Sequence, residues 1–219
     1  MKSKVQVMKF GGTSVGDASC IARAAQIVAQ GARENAVVAV VSAMSGVTNR
    51  LVEAANRAGS GDREAGSALI VELRRQHAAA LAALVSDETR RADVTGTLDK
   101  IFAEGQRLLD GTALLRELTP RALDAISSLG ERLCAPVFTS AVAELGVKSR
   151  AIAATELIVT DTFHGGAEPR MDLTRARCEA VLRPLLNESC VPVVTGFIGA
   201  TPDGVLTTLG RGGSDYSAT

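Results

Sequence analysis

The 219-residue chain has no Trp and one Tyr, and aromatic residues make up only 3% of it. Base-stacking platforms need aromatic faces, so this scarcity argues against a single-stranded nucleic acid as partner. Lys and Arg together number 24 and so do Asp and Glu, which leaves no basic surplus to track a phosphate backbone and no acidic surplus to form a solvating tail. The four cysteines, Cys20, Cys134, Cys178 and Cys190, are scattered. They form no C-x-x-C pair and have no His cluster nearby to complete a tetrahedral zinc site, so they read as reduced core residues. No apolar run approaches the ~20 residues that a membrane span needs. The run after the basic Met1-Lys2-Ser3-Lys4 is broken by Lys9 and halted by Gly11-Gly12, too short for the core of a secretory signal. The expected compartment is the cytosol, with neither membrane nor nucleic acid as partner. Internal repeats and low-complexity linkers are also missing.

What is present is a 46% hydrophobic composition rich in Ala, Val and Leu, enough for one substantial core of helices packed on a sheet. Residues 5–10 read as a strand that stops at a glycine pair, and helical spacing follows from Asp17 to about Gly31 or Asn35. Residues 36–42 are apolar without alternation, the signature of a strand covered on both faces, and a second helix opens near Thr48. Residues 62–145 carry helical periodicity, with breaks expected at Gly96, Gly111, Pro120 and Gly130, and form a helical insert between strands. Strands are expected at 147–153, 157–160 and 191–195, and a helix at 172–187 that Pro184 kinks or ends early. A hairpin turns at Pro202-Asp203-Gly204. After Asp215 a helix start is written with no helix left to form. The fold class is α/β, a three-layer α/β/α sandwich around a mostly parallel sheet.

Four segments carry chemistry. In Lys9-Phe-Gly-Gly-Thr-Ser14 a strand delivers a lysine and two glycines into a turn before a helix, which suits phosphate: backbone N–H groups approach the anion, the helix N-terminus adds its dipole, and the lysine neutralises charge. An ordinary strand-to-helix turn with a solvated lysine is the equal alternative. It is not a Walker loop, because Asp17-Ala18 stands where Lys-Ser/Thr is required. Ser42-Ala-Met-Ser-Gly-Val-Thr-Asn49 ends a buried strand, where ligands of open α/β sheets gather; Ser45, Thr48 and Asn49 suit either a polar substrate or helix capping. In Ser127-Ser-Leu-Gly-Glu-Arg-Leu133, Arg132 reads as a solvated face, while Glu131 either shares that face or turns into a pocket to take an ammonium group. Leu209-Gly-Arg-Gly-Gly-Ser-Asp-Tyr216 is a flexible loop or, better, a site where Arg211 grips a carboxylate. His77 reads as a surface or boundary residue and His164 as at most a loop contact.

Taken together, these segments resemble the aspartate kinase family of the amino acid kinase fold. The similarity also rests on Phe163 to Pro169 and Thr195-Gly-Phe-Ile-Gly199, and runs end to end in the family's order. It implies transfer of the ATP γ-phosphoryl to the side-chain carboxylate of L-aspartate, the first step toward lysine, threonine and methionine. Lys9, Phe10, Gly11 and Gly12 would contact ATP. Thr48, Glu131, Phe163, Arg211, Gly212, Gly213 and Ser214 would hold aspartate, its α-carboxylate on Arg211 and its ammonium on Glu131. Lys9 and Asp215 would be catalytic, Asp215 orienting Lys9 or the metal, with Mg²⁺ as cofactor and no general base.

The resemblance also implies homo-oligomers in the full-length protein. It further implies that residues 1–219 are an amino acid kinase domain incomplete at its C-terminus, without the adenosine half of the site or a regulatory domain. Little activity is then expected of the chain alone, along with exposed sheet edge and a tendency to associate. The competing readings are a sister kinase acting on glutamate, carbamate or a nucleotide, and a non-catalytic aspartate-binding or regulatory chain.

Overall fold

The structure, a computed structural model, describes residues 4–210 and 212–219. Four strands, β1 (Val5–Phe10), β2 (Ala36–Val41), β3 (Ser149–Ile152) and β4 (Val191–Thr195), form a parallel sheet in the order β1-β2-β4-β3. Register runs from Val5 opposite Ala36 to Phe10 opposite Val41, and from Ala39 opposite Val193 to Val41 opposite Thr195. β2 and β4 are the inner strands, and both faces of β2 are covered. Val37, Ala39 and Val41 enter one hydrophobic cluster, while Val38 and Val40 enter another on the opposite face. The lack of alternation in Ala-Val-Val-Ala-Val-Val is therefore the direct imprint of a sheet with layers on both sides.

Most helices lie on the first face. Helix α1 (Ala18–Glu34) starts where Asp17 accepts from the Cys20 N–H at 2.8 Å, and it buries Ile21, Ala24, Ala25, Val28 and Ala32, the spacing of one helical stripe. Helix α2 (Val47–Gly59) follows β2, and the insert at 62–145 comprises α3 (Arg63–Leu84), α4 (Glu88–Leu115), α5 (Pro120–Ser127) and α6 (Leu129–Glu144). Helix α6 is the most enclosed: its Leu133, Val137 and Phe138 join the sheet cluster, and the Phe138 ring lies tilted on Phe10 with centroids 5.5 Å apart. On the opposite face α7 (Met171–Asn187) lays Cys178, Val181, Leu182 and Leu185 against Val38, Val40 and Val194. An antiparallel hairpin, β5 (Ile198–Ala200) with β6 (Leu206–Thr208), leads to the single turn α8 (Gly213–Tyr216). The three-layer α/β/α expectation holds.

Several local expectations do not. Gly96 and Gly111 lie inside α4, where nothing stands within 4 Å of a Cβ at either, so each weakens the helix by about 1 kcal/mol without breaking it. Gly130 lies inside α6, and α7 runs on past Pro184. Residues 157–160 form no strand; after a 3-10 turn at Ala154–Glu156 they make only two isolated bridges, Val159 to Ala200 and Thr160 to Pro169. A helical turn does form after Gly212. Cys134 and Cys190 are buried, but Cys20 and Cys178 are only partly so, and all four are free thiols.

His77 is fully buried rather than at the surface. Its Nδ1 lies 2.8 Å from the Leu73 carbonyl oxygen, its ring meets the edge of Phe102, and its Nε2 has no partner among the described residues. Burial pushes its pKa down to about 4, so it packs as a neutral aromatic. No helix among the described residues is long and apolar enough to cross a membrane.

Candidate functional site

The carboxyl ends of β1 and β2 open into a cleft of about 460 Å³, the location at which open α/β sheets hold ligands. Its floor is the Gly11-Gly12 turn after β1. One wall is the segment from Ser42 to Asn49, and the other is the glycine-rich turn with α8. Gly46, with φ of 75°, opens α2 so that Thr48 and Asn49 in its first turn face the cleft without capping it.

Two cross-links tie α8 to the strand ends. Lys9 Nζ stands 2.8 Å from Asp215 Oδ1, and the Ser42 hydroxyl donates to Ser214 Oγ at 2.9 Å. The Asp215 side chain is 71% exposed, so the pair adds little to stability; its interest is that it places a cation and a carboxylate side by side at the mouth of the cleft. Close packing underlies both contacts. A Cβ on Gly196 would sit 2.7 Å from Ser214 Oγ and 3.2 Å from the Val41 carbonyl oxygen, so only glycine lets α8 approach the sheet this closely.

Glu131 is the unusual group. It sits in the first turn of α6, only 4% exposed, where Oε1 accepts the Ala43 N–H at 3.1 Å and Oε2 has no partner among the described residues. Burial pushes its pKa up to about 8, the Ala43 N–H offsetting only part of the effect. An acid held this way, lining a cleft, is poised to bind a cation. Helix α6 reaches the cleft because residue 130 is glycine: a Cβ there would meet that of Ala43 at 2.7 Å. Arg132, expected on a solvated face, instead makes a two-point pair with Glu104 at 2.8 and 2.6 Å and holds that carboxyl below its ordinary pKa.

The structure thus gathers Lys9, Gly11, Gly12, Thr48, Glu131, Gly212, Gly213, Ser214 and Asp215 around one cleft. Phe10 is not among them. It follows Lys9 in the strand, points to the opposite face and packs in the core. Phe163 also stands outside the cleft lining and is 68% exposed. Arg211 lies outside the described residues. The N-terminus of α1, expected to favour phosphate, begins at Ala18 beyond the cleft, and the Cys20 N–H in its first turn is already met by the Asp17 side chain.

Sequence reasoning missed Phe197, whose backbone has φ of 71°, an unusual conformation for a non-glycine residue, and which lines the cleft. It also missed Asp124. This carboxylate is 2% exposed and accepts from His164 Nδ1 at 2.7 Å, from the Gly165 N–H at 3.1 Å and from the Thr208 hydroxyl at 2.5 Å.

Comparison with known proteins supplies the context. A family profile described as "Amino acid kinase family" matches residues 4–219. Aspartokinase 1, chloroplastic, of Arabidopsis thaliana is 34% identical over 97% of this chain and 37% of its own length. Lysine-sensitive aspartokinase 3 of Escherichia coli is 33% identical over 99% of this chain and 45% of its own. The crystal structure of E. coli aspartokinase III in complex with aspartate and ADP superposes with a TM-score of 0.85 at 30% identity, covering 98% of this chain and 45% of that one. The chain therefore spans less than half the length of these relatives. On fold, on the profile match and on the resemblance to these aspartokinases, the chain belongs to the amino acid kinase family.

Proposed function

We propose that the cleft is the amino-acid side of an aspartate kinase site, in which the side-chain carboxylate of L-aspartate attacks the γ-phosphorus of ATP. The observation that carries this reading is Glu131, a buried carboxyl with one oxygen unpartnered among the described residues, on the wall of a cleft that also holds the Lys9–Asp215 pair. A free ammonium group of an amino acid fits an unpartnered buried carboxylate, and an anionic phosphoryl group fits Lys9 beside the Gly11-Gly12 turn.

The step forms a bond between a carboxylate oxygen and the γ-phosphorus and breaks the bond from that phosphorus to the β,γ-bridging oxygen, releasing ADP and 4-phospho-L-aspartate. An aspartate side chain is ionised at neutral pH, so the nucleophile needs no base. The chain's own contribution is then to position the reactants and to place charge where it develops. Thr48 and Ser214 orient the amino acid, Glu131 fixes its ammonium end, and Lys9 stabilises charge moving onto the leaving phosphate.

Mg²⁺ fits as an ion carried by the nucleotide. Among the described residues no cluster of three His, Cys, Asp or Glu side chains forms a cation cage, and Asp215 gives the one exposed carboxylate of the cleft, a donor set that suits an ion completed by phosphate oxygens. It would neutralise phosphate charge there. The assignment of the α-carboxylate to Arg211 rests on sequence alone. We assign homo-oligomerisation, the cytosolic setting and the link to lysine, threonine and methionine synthesis on the same resemblance, together with the assignment of residues 1–219 to the amino-acid side of a larger kinase domain.

Calorimetric titration with aspartate, glutamate and ATP, with a hydroxamate assay for acyl phosphate, tests the proposal. Aspartate binding that glutamate does not match supports it, and a preference for glutamate redirects it to a sister kinase. Absence of any amino-acid binding overturns it.

A further inference from the structure

We propose that Asp124 is a positioning residue that sets the width of the amino-acid cleft by tying its glycine-rich wall to the helix pair carrying Glu131. The inference rests on the aspartate kinase reading for its ligand, and on geometry for everything else. Asp124 lies in the last turn of α5 and Glu131 in the first turn of α6, with Ser128 as the corner between them. Hydrogen bonds fix that corner: the Ser128 N–H and the Ser127 hydroxyl both donate to the Asp124 carbonyl oxygen, at 3.0 and 3.2 Å, and the Ser128 hydroxyl donates to the Ala125 carbonyl oxygen at 2.7 Å. The two carboxyl groups are thus mounted on one rigid bracket.

Each end of the bracket grips a different side of the cleft. Glu131 holds the turn after β2 through the Ala43 N–H. Asp124 holds the other side through three donors: Thr208 at the end of β6, and His164 and Gly165 in the loop at 161–169. That loop and β6 are joined to each other by the Ala167 N–H donating to the Thr208 carbonyl oxygen at 2.8 Å. Two residues after Thr208 comes Gly210, which lines the cleft, and whose turn lies directly against the Gly165 carbonyl oxygen and Gly166. Leu209 in turn donates its N–H to the carbonyl oxygen of Phe197, another lining residue.

A buried carboxylate with three donors is an expensive arrangement to break, since removing it leaves each donor without its acceptor. No atom of Asp124 lines the cleft, so its effect on ligand is exerted through the wall it holds. Loss of the tether should widen the amino-acid side while leaving the Lys9 and Gly11-Gly12 floor, built on β1, in place.

The test compares wild type with Asp124→Ala, Asp124→Asn and Thr208→Val in three readouts: aspartate affinity, ATP affinity, and deuterium uptake at 161–169 and 206–213 without ligand. The milder Thr208→Val removes one donor only and keeps the test alive if Asp124→Ala does not fold. We expect Asp124→Ala to weaken aspartate by at least about tenfold with ATP changed less than about twofold, and Asp124→Asn and Thr208→Val to fall between, since each retains part of the network. Uptake should rise in both segments. Unchanged uptake, unchanged aspartate affinity, or an equal loss for both ligands would overturn the proposal, the last by marking a general loosening of the fold. Wild-type protein that binds no aspartate, yet whose variants take up deuterium faster in just these segments, would overturn the substrate reading and uphold the tether.

Discussion

Replacing Glu131 with Gln should stabilise the ligand-free protein, and should do so more as the pH rises. The side chain is buried with its pKa pushed up to about 8, against an ordinary value of 4.5 that an unfolded chain would show. Between those two values the unfolded state gives up its proton while the folded state keeps it, so the wild type loses stability as pH rises through this window. A shift of this size corresponds to an upper bound of roughly 5 kcal/mol, and relaxation around the group would bring it to about half that. Glutamine keeps the shape and the acceptor for the Ala43 N–H but has nothing to ionise. Urea unfolding of both proteins at intervals from about pH 5 to 8 should therefore show curves that diverge, with the variant gaining roughly 2 kcal/mol or more over wild type across the range. Parallel curves would refute the claim that an uncompensated carboxyl sits in the cleft wall.

Three further outcomes follow from the structure. His77, held neutral with a pKa near 4 against an ordinary 6.5, costs stability as pH falls from 6.5 toward 4, so His77→Met should flatten that acid limb by up to roughly 3 kcal/mol in the same unfolding assay. Gly130→Ala forces a Cβ to 2.7 Å from that of Ala43 and should lower the thermal midpoint by several degrees, about 1–3 kcal/mol of overpacking, while weakening aspartate binding. In a preparation with kinase activity, Lys9→Ala should lower kcat about 10²-fold or more with aspartate affinity nearly unchanged, because a charge serving the transition state is lost from the rate first.

What the sequence made legible follows the range of the interactions. β2 and β4 could be read because burial on both faces suppresses alternation within a few residues, and the Gly11-Gly12 turn because glycine marks it locally. Glu131 and Arg132 stood out as charges inside a helix otherwise filled with apolar and small residues, although the pattern left open which of them faces the cleft. Phe10 was assigned to ATP through its place in the Lys9 string, yet strand geometry turns successive side chains to opposite faces, and its ring goes to Phe138. Asp124 was invisible for a different reason. Its donors lie 40, 41 and 84 residues away, so no local pattern reports them. His77 misled because an amphipathic stripe cannot show that α3 is covered on more than one side, and the α4 glycines because open space around a helix lets it run through them.

The central claim, that Glu131 receives the ammonium group of the amino-acid substrate, predicts a proton. With a pKa near 8 the empty site is largely protonated at neutral pH, and an ammonium placed against Oε2 would drive it to the ionised form. Calorimetric titration of aspartate at about pH 7, in two buffers of different ionisation enthalpy, reads the linked proton directly. The account predicts release of close to one proton per aspartate bound, abolished in Glu131→Gln. Binding with no proton release, or with release unchanged in the variant, would contradict it.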